Sequence, residues 1–443
     1  MKNRNQKLPR AWMIGGAMLF LTGVGMVRAG DIVVANNADS GNGTFRQAIQ
    51  FNESVGGGSR ILFSNTVTGT ITLTNALGEL LISKDVTIVG PGAKVLTISR
   101  NFTGRVFHLT NNAAVSIAGL TVSGGGLQDF YANGAGILQD SGTLALTDCA
   151  IAGNFNLNGI GGGIYANGTV TANGCTFSGN SGVQSGFIGA GAVYVGGGLT
   201  AINCTFYGNT SVNSGGGIYQ AGGILALTNC TVSGNNAFVN GTGGGIYKAG
   251  GTATIRNTII AGNLATTAPD CVGAFTSAGF NLIGAMNGSS GWGSVGDQMG
   301  TTNSPLNPLL GTFQDNGGAT LTLALQSGSP AIDQGNGSGV LTDQRGAPRP
   351  VATSSVGSIP FGGDRSDIGA YELGIPSLAI QRVPQMTLTW PAYYGGLTLQ
   401  TTTNLTAPDS WTNAPEIPVV VGSQWVATNS PVAGSRFFRL KSN

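Results

Sequence analysis

Eight ionisable residues crowd one short stretch late in the chain: Asp333, Asp343, Arg345, Arg349, Asp364, Arg365, Asp367 and Glu372. Five carboxylates and three guanidiniums within 40 residues can support three kinds of chemistry. Paired carboxylates hydrolyse glycosidic bonds as acid and base, clustered carboxylates hold calcium, and acids alternating with guanidiniums lock a segment through bidentate ion pairs. The lock is the expectation adopted here for Asp343, Arg345, Arg349, Asp364, Arg365, Asp367 and Glu372. Calcium is the cofactor alternative, and no residue is assigned a catalytic role. A sparser upstream set, Lys84, Asp85, Lys94, Arg100, Arg105 and His108, forms no motif. One His and no paired C-x-x-C disfavour zinc. Chance G-x-G-x-x-G matches in so glycine-rich a chain carry no weight without a following G-K-[ST].

What must position these groups is a repeat. DCAIAGN, GCTFSGN, NCTFYGN, NCTVSGN and NTIIAGN end at Asn154, Asn180, Asn209, Asn235 and Asn263, at intervals of 26, 29, 26 and 28 residues. Interleaved with them are GGGIY at Tyr165, GAGAVY at Tyr194, and GGGIY at Tyr219 and Tyr247. A fixed period of this size means stacked equivalent units. Short apolar runs broken by Gly and Asn, with no helical period, read as strand, turn, strand. One coil cannot bury its own apolar face, so each strand must pair with its counterpart in the next coil. The expected fold is all-β, a right-handed parallel β-helix like that of the pectate lyases.

Strand alternation sends Cys175 and Phe177 inward and Thr176 outward. The five asparagines are expected to form a buried ladder, with substrate contact as the other reading. Cys149, Cys175, Cys204 and Cys230 occupy one repeat position and read as an inward stack of small side chains; a bridge between neighbours is the alternative, and Cys271 is left over. Tyr165, Tyr194, Tyr219 and Tyr247 should form one column about 4.8 Å per rung. Facing out, that column is a binding strip for sugar rings or a partner surface; facing in, it is a core stack. Connections from each Asn to the next Tyr vary in length while the rest of the coil does not. The edge holding Phe155, Phe187 and Phe238 is therefore the expected recognition side.

The pairing of Gly162–Ile164 with Phe177–Asn180, GG-x-I with F-x-x-N, resembles the repeat of the polymorphic outer-membrane proteins, which are secreted β-helical surface proteins. Those proteins end in a large membrane barrel, for which too few residues follow the repeats here. DIVVANNADSGNGTFRQAI resembles the opening of secreted bacterial repeat proteins with a Ser-Leu-Arg-Glu-Ala signature. NPLLGTFQDNGGATLTLALQSGSPAIDQGN, TDQRGAPRP and GGDRSDIGAYE resemble the choice-of-anchor Q segment, which follows β-helices in secreted bacterial proteins; the resemblance implies a tail that fixes the protein to a surface. Residues 376–443 look like the small all-β C-terminal module of other secreted bacterial proteins, with Trp390, Trp411, Trp425, Phe437 and Phe438 as its expected core.

Residues 1–29 join Lys2, Arg4, Lys7 and Arg10 to the apolar run Ala11–Val27 and end in Val-Arg-Ala, the form of a secretory signal. Five of the 20 Lys and Arg lie there, with none of the 18 Asp and Glu, so the remaining chain has a formal charge of about −3. A basic patch for nucleic acid is therefore not expected, nor is any later membrane span. The expected divisions are a signal at 1–29, an N-terminal cap at 30–60 in which Phe45, Ala48 and Ile49 share a helical face, a β-helix at 61–310, a C-terminal cap at 311–373 and a β-module at 374–443.

From Cys149 to Tyr247 no Asp, Glu, Lys, Arg or His occurs, which removes acid, base and metal-ligand chemistry from the regular coils. The expectation is a secreted or surface-associated binding or adhesion protein, extracellular or periplasmic, for a polysaccharide or a cell-surface partner, without catalysis. The alternatives are a polysaccharide lyase or hydrolase with its site in the caps, and a structural envelope protein.

Overall fold

In the strand Thr143–Thr147, Leu144 and Leu146 are buried while Thr143 and Thr147 face solvent, the alternation a two-residue period imposes. This strand pairs in parallel with Ala114–Ala118 on one side and Thr169–Asn173 on the other, and the same relationship recurs rung after rung. The computed structural model describes residues 30–183, 189–352, 359–374, 378–382, 386–391, 397–406, 410–421, 424–429 and 436–442; the signal expected at 1–29 and Phe187 lie outside them. The architecture is a right-handed parallel β-helix of about nine turns, with 44% strand and 4% helix, which is the fold class the repeat implies.

Each regular coil feeds four sheets in turn. One coil supplies Thr143–Thr147 to sheet 1, Ala150–Ala152 to sheet 2, Phe155–Asn156 to sheet 3 and Ile164–Ala166 to sheet 4. The corner between sheets 2 and 3 requires a left-handed residue, which Gly153, Gly179, Gly208, Gly234 and Gly262 provide at φ between +60° and +71°. The corner between sheets 1 and 2 is left-handed at Asp148, Asn203, Asn229 and Asn257, residue types that tolerate it.

Exact register stacks like on like. Ile151, Phe177, Phe206, Val232 and Ile260 fall in one column, each with no solvent exposure. The rings of Phe177 and Phe206 lie 4.6 Å apart and nearly parallel. Each such side chain contributes about 1.5–3 kcal/mol by burial.

The first coil is closed by the helix Phe45–Ser54, capped by the Thr44 side chain accepting from the Gln47 N–H. Phe45, Ala48 and Ile49 are buried on one face, as their spacing implies, and Phe45 packs against Phe63 and Phe107. Arg46, on the same helix, is buried and pairs with Asp39 at 2.8 Å.

Residues 311–373, expected as a cap on the exit end, instead run back and forth along the outer face of sheet 2 as a lateral strap. Lys94 bonds Asp315 near one end of that face. The Asn203, Asn229 and Asn257 amides donate to the carbonyls of Thr342, Gly337 and Asp367. Thr176 points outward as expected, as do Thr205 and Thr231 one and two rungs on, yet all three are buried because the strap covers them. Ile259, Leu282, Leu325, Ala331, Ile332 and Ile368 form a second small core between strap and sheet.

The C-terminal module has an antiparallel sheet of four strands and another of three among its described residues. Leu388, Trp390, Leu399 and Ala427 form its core, with Trp425 and Phe438 packed against them. Two expected core residues lie elsewhere: Phe437 is 36% exposed, and Trp411 lies under the Arg439 guanidinium. Among the described residues no helix is long and apolar enough to cross a membrane.

Candidate functional site

The asparagine column is a buried ladder. Each side-chain amide donates to the next side-chain oxygen, from Asn154 through Asn180, Asn209 and Asn235 to Asn263, at 2.8–2.9 Å. Each receiving oxygen also accepts the backbone N–H of the preceding asparagine. The last step is to Asp270: Oδ1 accepts both Asn263 donors, and Oδ2 accepts the Ala285 N–H at 2.7 Å. Burial raises the Asp270 pKa against the pull of these donors. With its amides enclosed, the column has no group left for a substrate. The cysteine column is also internal, all five thiols being free and buried. Burial pushes Cys204 up and Cys271 to about 12. Beyond Cys230 the column passes to Thr258, Asn281 and Asp297, so a second row also ends on a carboxylate.

The ionisable cluster of the strap divides in two. Asp343 with Arg345 (2.7 Å) and Arg349 with Glu372 (2.9 Å) are ion pairs whose side chains have no solvent exposure, and Asp367 is buried beside them. Asp343 also accepts the N–H groups of Arg345, Ala347 and Glu372, while Glu372 accepts those of Val351 and Asp367. Burial and the neighbouring Glu372 push Asp367 well up; burial raises Glu372 while Arg349 opposes it. Asp364 and Arg365 are exposed in a turn outside the lock, where Asp364 accepts from Ser366 and Gly337. A metal would have to displace these donors, and among the described residues no group of three His, Cys, Asp or Glu is placed to hold one.

The tyrosine column points outward: Ile164 and Ala166 are buried on either side of Tyr165, and Tyr165, Tyr194, Tyr219 and Tyr247 are in register. The rings, however, stack on each other at 4.3, 5.8 and 5.2 Å, tilted by 12° or less. Tyr219 is 5% exposed and the others half-buried. Ring faces between rungs are thus occupied, leaving edges. Burial, with Tyr194 and Asp140 nearby, pushes Tyr165 up to about 12.

The same outward column begins with Leu81, His108 and Leu138. The two ring nitrogens of His108 lie 2.8 Å from Glu79 and 2.8 Å from Asp140, and Arg105 donates to Glu79 at 2.6 Å. Sequence reasoning placed Arg105 and His108 in a scatter and passed over Glu79 and Asp140. The available signal was spacing, since Glu79, His108 and Asp140 lie 29 and 32 residues apart, close to one coil each.

Exposed apolar side chains gather on the loop edge and sheet 3. Phe155 and Phe238 are exposed there as expected, joined by Phe130 (74%), Tyr131 (79%), Leu157 and Val239. Phe102, on the same side, is 56% exposed. Phe102 and Tyr131 hold left-handed backbones at φ +61° and +66°, a conformation costing a residue with a Cβ about 1–2 kcal/mol. A groove of about 380 Å³ opens here, lined by Phe102, Gly126, Gln128, Gly153, Phe155, Gly179 and Ser181.

No protein-family model matches the chain, and no curated protein matches it in sequence.

Proposed function

We propose that the protein is a secreted or surface-held binding solenoid that takes a glycan on its loop edge and performs no chemistry on it. The observation that carries this reading is the concentration of exposed aromatics, two of them in strained backbone, on one edge of a rod whose other polar and ionisable groups are mostly paired within the fold. Aromatic faces beside a shallow groove with few polar groups suit sugar rings. The resemblance of the strap to an anchoring segment supports attachment to a surface.

The His108 cluster favours a second reading, polysaccharide cleavage, since it places an imidazole and two carboxylates on an outer face. Both readings are tested in one set of tubes. Purified protein is mixed with neutral and acidic polysaccharides, and co-sedimentation and new chain ends are scored together. Retention without new ends, lost when Phe130→Ser, Tyr131→Gly and Phe238→Ser are combined, supports binding. New ends that disappear in His108→Ala would replace it with cleavage.

A further inference from the structure

We infer that the outer face of sheet 1 binds crystalline ice through a grid of hydroxyl and methyl groups that repeats in two directions. The inference goes beyond the glycan reading, uses a different face and stands or falls without it.

The grid follows from register. Thr143–Thr147, Thr169–Asn173, Gly198–Ile202, Ile224–Thr228 and Thr252–Arg256 pair residue on residue, with no bulge in any of the pairings. In every strand the second and fourth residues are buried, so the first, third and fifth point outward. Outward groups therefore recur about every 4.8 Å across the rungs and roughly every 6.6 Å along each strand. Thr171, Thr200 and Thr254 share the central column, and Thr143, Thr169 and Thr252 the one beside it. All six are exposed or half-exposed, and none of their hydroxyls bonds another described residue. On sheet 2, by contrast, the strap takes up the outward hydroxyls of Thr176 and Thr205. Branching at Cβ restricts χ1, so each threonine holds its hydroxyl and methyl in a repeating place.

The occupant follows from what this face can and cannot hold. Its outward positions carry no aromatic ring on which a sugar could stack. They carry one ionisable group, Arg256 at a far corner, which the Ala278 carbonyl and the Asn336 side chain hold. Between Cα atoms the grid measures roughly 13 Å by 19 Å, far below the roughly 800 Å² per partner that a stable protein interface needs. A second copy of the chain is therefore too weakly held. A crystal of water is uncharged, presents donors and acceptors in a plane, and repeats near both spacings on its prism face. Waters bridging successive hydroxyls become the first layer of that plane, so adhesion does not require the face to be stripped dry.

The test grows ice slowly on a cooled surface immersed in the purified protein mixed with serum albumin, and compares the protein content of ice and liquid. Enrichment of the chain over albumin in the ice is expected. It should fall to the albumin level in Thr171→Tyr combined with Thr200→Tyr, whose rings break the plane. Tyrosine suits a strand position facing solvent, so the unfolding midpoint and the retention of soluble polysaccharide should be those of the parent. Thr254→Lys, elsewhere in the central column, should lower enrichment independently, and Thr267→Tyr, exposed on sheet 3, should leave it unchanged. Exclusion of the parent along with albumin overturns the inference, as does enrichment that survives every substitution on the face or is lost in Thr267→Tyr. Capture by microcrystalline cellulose in place of ice assigns the face to a crystalline polysaccharide and overturns it too.

Discussion

Asn263 passes its side-chain amide to the carboxylate of Asp270 at 2.9 Å, and there the asparagine ladder stops. Every earlier rung has an oxygen to receive from one side and an NH₂ to give to the other. At the final rung the groups that remain are all donors, and a carboxylate, acceptor at both oxygens, satisfies them.

The identity of the terminal residue should therefore matter as much as its presence. Asp270→Asn turns one acceptor into a donor facing the Ala285 N–H and is expected to cost about 1–3 kcal/mol. The reverse change within the ladder, Asn209→Asp, removes the donor to Asn235 and should cost a similar amount. Urea unfolding of both variants checks this; a neutral result for either would mean the ladder relaxes freely.

The strap should depend on Gln344. Its side chain accepts from Thr205 at 2.6 Å and donates to Thr176 and Thr320 at 2.9 Å, all of them buried. Gln344→Ala leaves the buried Thr205 hydroxyl without its acceptor, while Thr176 and Thr320 keep the carbonyls of Leu321 and Gly174, and is expected to cost about 1–3 kcal/mol. Limited proteolysis should then cut within 311–373 sooner than in the parent protein.

Stability should fall as pH rises above about 4. Asp367 and Glu372 have folded-state pKa values raised from 3.8 and 4.5, and Asp270 is raised as well. Below those ordinary values both states hold the protons. As pH rises through them the unfolded chain releases protons that the fold retains, and the fold loses ground. Asp39 acts in the opposite sense: although burial raises it, Arg46 and Thr74 hold it below 3.8, so its contribution is present above that value and fades below it. Urea midpoints at pH 4 and 7 should show the net decline, with a smaller one in Asp367→Asn.

The thiols should be silent in the native state. All five are buried and free, and only thiolates react. A thiol reagent should modify none without denaturant and all five in roughly 6 M guanidinium, which unfolds even hyperstable proteins.

The coil itself was legible because each of its constraints repeats. Phe177 over Phe206 and Asn180 over Asn209 follow from spacing and alternation, and the helical face of Phe45, Ala48 and Ile49 from a local period. The strap was not legible as a strap. Gln344 reaches Thr176 across 168 residues of chain, and outward threonines in a strand carry no sign that something will cover them. The tyrosine column was open in sequence to facing out or facing in; it turns outward, but rings one strand spacing apart stack on each other before they can stack on anything else. Phe102 was missed because its loop falls in the early rungs, where the period is broken and no repeat flags an unusual residue.

The path of the strap also decides how the rod carries load. The chain leaves it at Leu373, close to Ala370, whose N–H is held by Thr231 in the body of the solenoid and not at its last rung. Tension applied to the residues beyond Leu373 therefore enters along the flank. It is shared by Asn203, Asn229, Asn257, Thr231 and Gln344 across several coils at once, so the bonds are sheared together instead of being unzipped singly from the tip.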